Sequence, residues 1–177
     1  MTRHWLIAGL IGLLLGGVAY AMAIRATPGI LMSSAVGRVA KAAGMNAMFF
    51  GPLATDEART IVRPSPDLAY SSCPFDVSKG PVLIDAMPVA APYWSLSVFD
   101  AKTDVAFVRN NAQAGGRPIK VAVLKAGMTA PAGYEPVPVE GDKGVALIRI
   151  LVADRSAFGA LDAARRTSRC APVTPAG

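Results

Sequence analysis

Histidine is almost missing from this chain. The one histidine, His4, precedes a long apolar run, and nothing after that run carries an imidazole. The body of the chain therefore has no Ser-His-Asp or Cys-His nucleophile system and none of the usual zinc sites. It also has no G-x-S-x-G elbow, no P-loop, no G-x-G-x-x-G and no S-x-x-K. Aromatic residues make up 7% and charged residues 17%. The net charge is +6, but the basic residues are spread, apart from Arg165, Arg166 and Arg169. No aromatic residues interleave with that cluster as a single-strand-binding groove requires, so nucleic acid is not an expected partner. No spacing of carboxylates singles out a catalytic pair, and no cofactor or metal is expected.

What the chain does have is hydrophobicity. Residues of that class make up 53%, and many lie near the start. From Trp5 to Ile24 no residue is charged. At about 1.5 Å per residue this run can cross a hydrocarbon core of about 30 Å. Trp5 and Tyr20 lie towards its ends, where amphipathic rings favour the interface. Its length favours an uncleaved anchor. The small-x-small steps ending at Ala21 and Ala23 leave a cleaved signal peptide as the alternative. Ala8, Gly12 and Gly16 recur every four residues. Gly12 and Gly16 form a GxxxG that lets a second helix approach, either a partner's or another copy's.

Thr27-Pro28 reads as the start of a second, amphipathic helix, because threonine caps and proline suits the first helical position. Met32, Val36, Val39, Ala40 and Ala43 make its apolar stripe, with Ser34, Arg38 and Lys41 off it. After Ile61 the texture changes to short apolar runs separated by turn residues. Strands are expected at Leu68–Ser72, Val82–Asp85, Tyr93–Phe99, Val105–Arg109, Ile119–Leu124, Glu135–Val139 and Val145–Val152. A closing helix follows, with Asp154 as cap, Phe158 and Leu161 as its apolar face, and Asp162 placed to pair with Arg166. The expected fold is mainly β (α+β): a β-sandwich or partly closed barrel with a C-terminal helix. The expected organisation is an anchor over 1–26, a membrane-proximal helix over 27–52, a β-rich domain over 53–170 and a loose tail over 171–177.

Cys73 and Cys170 are the only cysteines. If the domain is exported they meet an oxidising compartment, where they either bridge across a long loop or stay as two thiols.

Residues 62 to 85 read VRPSPDLAYSSCPFDVSKGPVLID, and residues 93 to 100 read YWSLSVFD. Together they resemble the domain-of-unknown-function family numbered 1254. Asp67, Tyr70, Ser71, Asp76, Ser78, Gly80, Pro81, Tyr93 and Asp100 occupy places matching its pattern. Leu68 and Ala69 depart from it, since the family often has threonine after the aspartate. The resemblance extends from about Val62 through the final helix. It implies β-sandwich architecture, a short membrane-anchored bacterial type, and a companion among small membrane proteins of the sister family 1214. It implies no activity.

Pro64 and Pro66 impose extended geometry before Asp67, and the turn residues around them suit local backbone work. If this segment carries a ligand site, Arg63 supplies an anion contact, while Asp67, Tyr70 and Asp100 orient a polar ligand. The reading favoured is a non-catalytic binding or assembly module, anchored by a single pass in the bacterial inner membrane with its domain in the periplasm. Its partners are membrane lipid and a membrane or periplasmic protein. The alternative is a carboxylate-dependent, membrane-anchored hydrolase acting on envelope material.

Overall fold

A computed structural model of the chain describes residues 2–55 and 64–173. It begins with α1, Thr2–Ala43, a single helix where two were expected. Pro28 lies inside it, and Thr27 does not cap: its Oγ1 donates to the Ala23 carbonyl at 2.7 Å, within the helix. Pro28 has no N–H to offer, so one backbone hydrogen bond is lost. The helix continues because the turns after it are held by packing. Met32 and Val36 are buried, Val39, Ala40 and Ala43 are half-buried, and Ser34, Arg38 and Lys41 face out, as the stripe predicts. This half of α1 lies against β2 (Leu68–Asp76) and β8 (Lys143–Leu151). Gly44 ends the helix at φ 90°, donating its N–H to the Ala40 carbonyl at 2.8 Å.

Two sheets form the domain. The first orders its strands β1-β2-β8-β4-β5, with β1 Phe49–Phe50, β4 Trp94–Phe99 and β5 Val105–Asn110. The second orders them β7-β6-β3-β9, with β3 Val82–Ala86, β6 Ile119–Leu124, β7 Glu135–Pro138 and β9 Arg169–Pro172. The pairs are antiparallel except β6 with β7, which is parallel. Pro136 and Pro138 confine β7 to an edge, because proline cannot donate to a further ladder. A short helix α2, Asn111–Ala114, follows β5, and Asn110 and Gln113 close a reciprocal capping box at its start. Asp154 caps a single 3₁₀ turn, Arg155–Ala157, which leads into α3, Phe158–Arg165.

The core lies between the sheets. Alternation along each strand sends Ala69, Cys73 and Phe75 inward from β2, Ala146, Ile148 and Ile150 from β8, and Trp94, Leu96 and Val98 from β4. They meet Val82, Ile84 and Ala86 from β3 and Ile119, Val121 and Val123 from β6. Fully burying each such large side chain contributes about 1.5–3 kcal/mol. Cys73 and Cys170 form a disulfide with a Cα–Cα distance of 6.3 Å, tying the first sheet to the edge strand of the second. Glycine matters most at Gly144, where a Cβ would collide with the Phe99 carbonyl and the Phe75 ring.

Three boundaries differ from the sequence reading. The first sheet begins at Phe49, inside the segment assigned to the membrane-proximal helix, because Phe49 and Phe50 pair with Ser72 and Ser71. β2 runs four residues past Ser72, to Asp76, continuing its pairing with β8 as far as Lys143. Ala171 and Pro172, assigned to the tail, belong to β9, held by β3 and the adjacent disulfide.

Candidate functional site

The residues singled out from sequence do not converge. Arg63 lies outside the described residues. Asp67 is exposed and precedes β2, where its carbonyl accepts from the Val152 N–H at 2.8 Å. Tyr70 is half-buried on β2, and its hydroxyl accepts from the Ser65 N–H at 3.0 Å. Asp100 is buried at the β4–β5 turn. Its Oδ1 accepts from the Lys102 and Asp104 N–H groups at 2.8 and 3.0 Å. That geometry makes Asp100 the organiser of a tight turn. Leu68 pairs with Leu151 and Phe99 with Val145, so Asp67 and Asp100 stand at opposite ends of β8. At about 3.4 Å per residue, the six steps between those β8 partners separate the two carboxylates by roughly 20 Å along the sheet.

Arg165 has a different place from the one its sequence suggests. It belongs to the one basic cluster in the sequence, a residue type found mostly in solvent, yet it is 1% exposed. Its Nη1 donates to the Tyr70 carbonyl at 2.6 Å and its Nε to Asp162 at 2.8 Å. Its guanidinium also lies over the Phe50 and Phe158 rings. Arg166 keeps the expected pairing with Asp162, Nε to Oδ2 at 2.7 Å. Burial raises the Asp162 carboxyl, but the hydrogen bonds and charges of Arg166 and Arg165 outweigh it, so the net direction is below the ordinary aspartate range.

A second arginine missed from sequence is Arg149. It stands between Tyr70 and Ser95 in register on the outer face of the first sheet. Its Nη2 donates to Ser97 Oγ at 3.1 Å. Arg149 Nε and Ser95 Oγ are shielded and have no hydrogen-bond partner among the described residues. The available signal was a charged residue within the otherwise apolar Val145–Val152 run.

The more open constellation lies on the outer face of the second sheet. Asp85 on β3 has Lys120 of β6 opposite it on one side and Arg169 of β9 on the other. The Tyr134 hydroxyl reaches Asp85 Oδ2 at 3.4 Å, and Lys120 Nζ sits 5.6 Å from the Tyr134 ring centre. Burial, followed by the Asp85 charge, raises the Tyr134 phenol above its ordinary range, so it stays a protonated donor. Two adjoining cavities open here and share Pro118 and Lys120 as walls. One, of about 370 Å³, is also bounded by Arg109, Arg117 and Glu135. The other, of about 400 Å³, is bounded by Asp85, Met87, Thr167 and Arg169. Arg109 is held by a bidentate pair with Glu135 at 2.7 and 3.0 Å. These residues come from five strands and four connecting loops, so no local spacing announces them. No group of three or more metal-ligating side chains occurs among the described residues.

Residues 45–172 match the model of a family described as "Protein of unknown function (DUF1254)". The match begins earlier than Val62 and runs past α3 through β9. No curated protein matches the chain. Among solved structures, the VPA0106 protein from Vibrio parahaemolyticus is similar, with a TM-score of 0.67 and 12% identity. An uncharacterized protein from Burkholderia cenocepacia is also similar, with a TM-score of 0.47 and 15% identity over 63% of this chain. The first likeness covers 85% of this chain and shows a shared fold. This chain spans 37% and 32% of the lengths of those two proteins.

Proposed function

The chain belongs to the DUF1254 family, and on that footing we propose that it is a membrane-anchored envelope protein acting as a non-catalytic binding or assembly module. The observation that carries this reading is the division of α1. Its second half packs on the domain, while its apolar first half is unburied, with Leu13 and Leu15 at 75% and 65% exposure. By length and composition this helix can cross a membrane. Leaving such a surface in water is unfavourable in proportion to its area, and a bilayer or a second apolar helix removes that penalty. The disulfide supports a domain on the oxidising side, which in a bacterium with an outer membrane is the periplasm.

The partner proposed is a membrane or periplasmic protein. The candidate is the small membrane protein of the sister family 1214 that the family resemblance implies as a companion. A Cβ at Gly12 or Gly16 meets no atom within 4 Å, which leaves that face of the helix open to a second helix. The alternative of a carboxylate-dependent hydrolase draws no support from Asp67 and Asp100, which stand apart.

The test is crosslinking in intact membranes followed by purification of the tagged full chain. Recovery of one stoichiometric companion, or of a defined homo-oligomer, is expected. Replacing Gly12 and Gly16 by leucine should weaken helix-mediated association. Recovery of this chain by itself, without self-association, would overturn the reading. Fusion of a periplasm-dependent phosphatase to the C-terminus checks orientation, and an inactive fusion places the domain on the other side.

A further inference from the structure

We propose that the double cavity on the outer face of the second sheet binds a small hydroxylated phosphate ester, of the sugar phosphate or polyol phosphate class. The inference rests on the binding-module reading and names its ligand. The first support is charge. The side chains of Arg117, Lys120 and Arg169 make no ion pair among the described residues, whereas Arg109 is neutralised by Glu135. Three cations thus face one remaining carboxylate, Asp85. Arg117 and Lys120 share a wall of the first cavity, where a phosphate takes charge-assisted hydrogen bonds from both.

The second support is Asp85 itself. Its Oδ1 is shielded and has no hydrogen-bond partner among the described residues, although Lys120 and Arg169 are its register neighbours. Lys120 turns instead to the Tyr134 ring. A buried acceptor without a donor is costly; Asp85 also lines the second cavity, where a turn of its carboxylate would bring that oxygen to a ligand hydroxyl. A bare inorganic anion serves this less well, because it brings its negative charge against the Asp85 carboxylate, whereas a neutral hydroxyl donates without that repulsion. The site therefore asks for a molecule with an anionic end and a hydroxylated end. The two cavities, each within the volume range of small-molecule sites, lie side by side to take them.

The position favours a dissolved ligand over a headgroup of the anchoring bilayer. Gly29 of α1 approaches Ala101 at the β4–β5 turn, so the membrane-proximal contact is at one end of β5. Arg109, Arg117 and Lys120 gather at the other end, about 20 Å away at the rise of a six-residue strand.

Isothermal titration of the full chain in detergent with glucose 6-phosphate tests the proposal, with glucose and inorganic phosphate as separate probes. Saturable binding is expected for glucose 6-phosphate, tighter than for either separate probe and weakened by salt. Arg117→Gln combined with Lys120→Gln should weaken it at least about tenfold, the loss expected for charge-assisted hydrogen bonds. Both residues are exposed, so the variant should fold. Asp85→Asn should erase the preference over inorganic phosphate, and Arg169→Gln serves in its place should Asp85→Asn melt early. Absence of saturable binding at millimolar ligand, or binding indifferent to these substitutions, would overturn the proposal. Anionic vesicles competing as well as the sugar phosphate would also overturn it, by identifying a headgroup site. Partner capture by the Arg117→Gln/Lys120→Gln variant is measured in parallel. Capture without ligand binding leaves the module reading standing and removes only this site.

Discussion

Arg165 Nη2 donates to the Gly51 carbonyl at 2.6 Å, across 114 residues of chain. One buried guanidinium thereby joins the segment after β1, the strand β2 and the helix α3. Its planar fork suits this task, since it offers several donors in fixed directions.

Replacing Arg165 by alanine should destabilise the domain by about 3–5 kcal/mol, the range for breaking a buried, hydrogen-bonded charge pair. Arg165→Lys keeps the charge but loses the fork, and should fall between wild type and alanine. Urea denaturation followed by tryptophan fluorescence reads both. A loss below about 1 kcal/mol for alanine would show that water replaces the clamp.

The disulfide gives a second expectation. Cys73 and Cys170 close a loop with a sequence separation of 97, so in the chain-entropy view their bond strongly restricts the unfolded chain. The Cys73→Ala/Cys170→Ala double variant should lose about 2–5 kcal/mol. Thiol titration under denaturing, non-reducing conditions should find no free thiol in protein isolated from membranes. Two reactive thiols would remove the bridge and its implication for compartment.

Acid should weaken the same corner of the fold that Arg165 holds. The Asp162 carboxyl is held below the usual aspartate range, because Arg166 and Arg165 outweigh its burial. Its stabilising contribution is therefore complete above the unfolded value, near about pH 4, and is lost as pH falls through the lower folded value. Asp162→Asn should be less stable than wild type at neutral pH, with the gap closing below about pH 4. A gap constant from neutral to acid pH would show that the charge of Asp162 contributes nothing.

Two glycines should respond in opposite ways. Gly144→Ala forces a Cβ into the Phe99 carbonyl and the Phe75 ring, and should cost about 1–3 kcal/mol through overpacking. Gly159, exposed on α3 with open space around it, should accept alanine with a gain of up to about 1 kcal/mol from helix propensity. Thermal melts of the two variants distinguish these directions.

Most of the architecture was legible because it is written in local periodicity. Trp94, Leu96 and Val98 alternate with Ser95 and Ser97, and the apolar set faces the core as period-two alternation predicts. The stripe from Met32 to Ala43 predicts the packed face of α1. The Asp154 cap and the Asp162–Arg166 pair depend on residues within a single turn, and both are present. Pro28 misled because its local effect, loss of one hydrogen bond, was smaller than the packing that holds the helix on the sheet.

The site was not legible in the same way. Asp67 and Tyr70 lie at one end of β8 and Asp100 at the other, because a strand extends by more than 3 Å per residue and so carries its ends apart. Asp85, Lys120, Tyr134 and Arg169 are distant in sequence and become neighbours through strand register, which depends on the whole sheet. Composition and order along the chain therefore determined that there is one apolar helix, a β-rich body and no histidine beyond that helix. Tertiary packing decided which charges meet: the docking of α3 buried Arg165, and strand register left Asp85 Oδ1 without a donor among the described residues while setting Lys120 and Arg169 on either side of it.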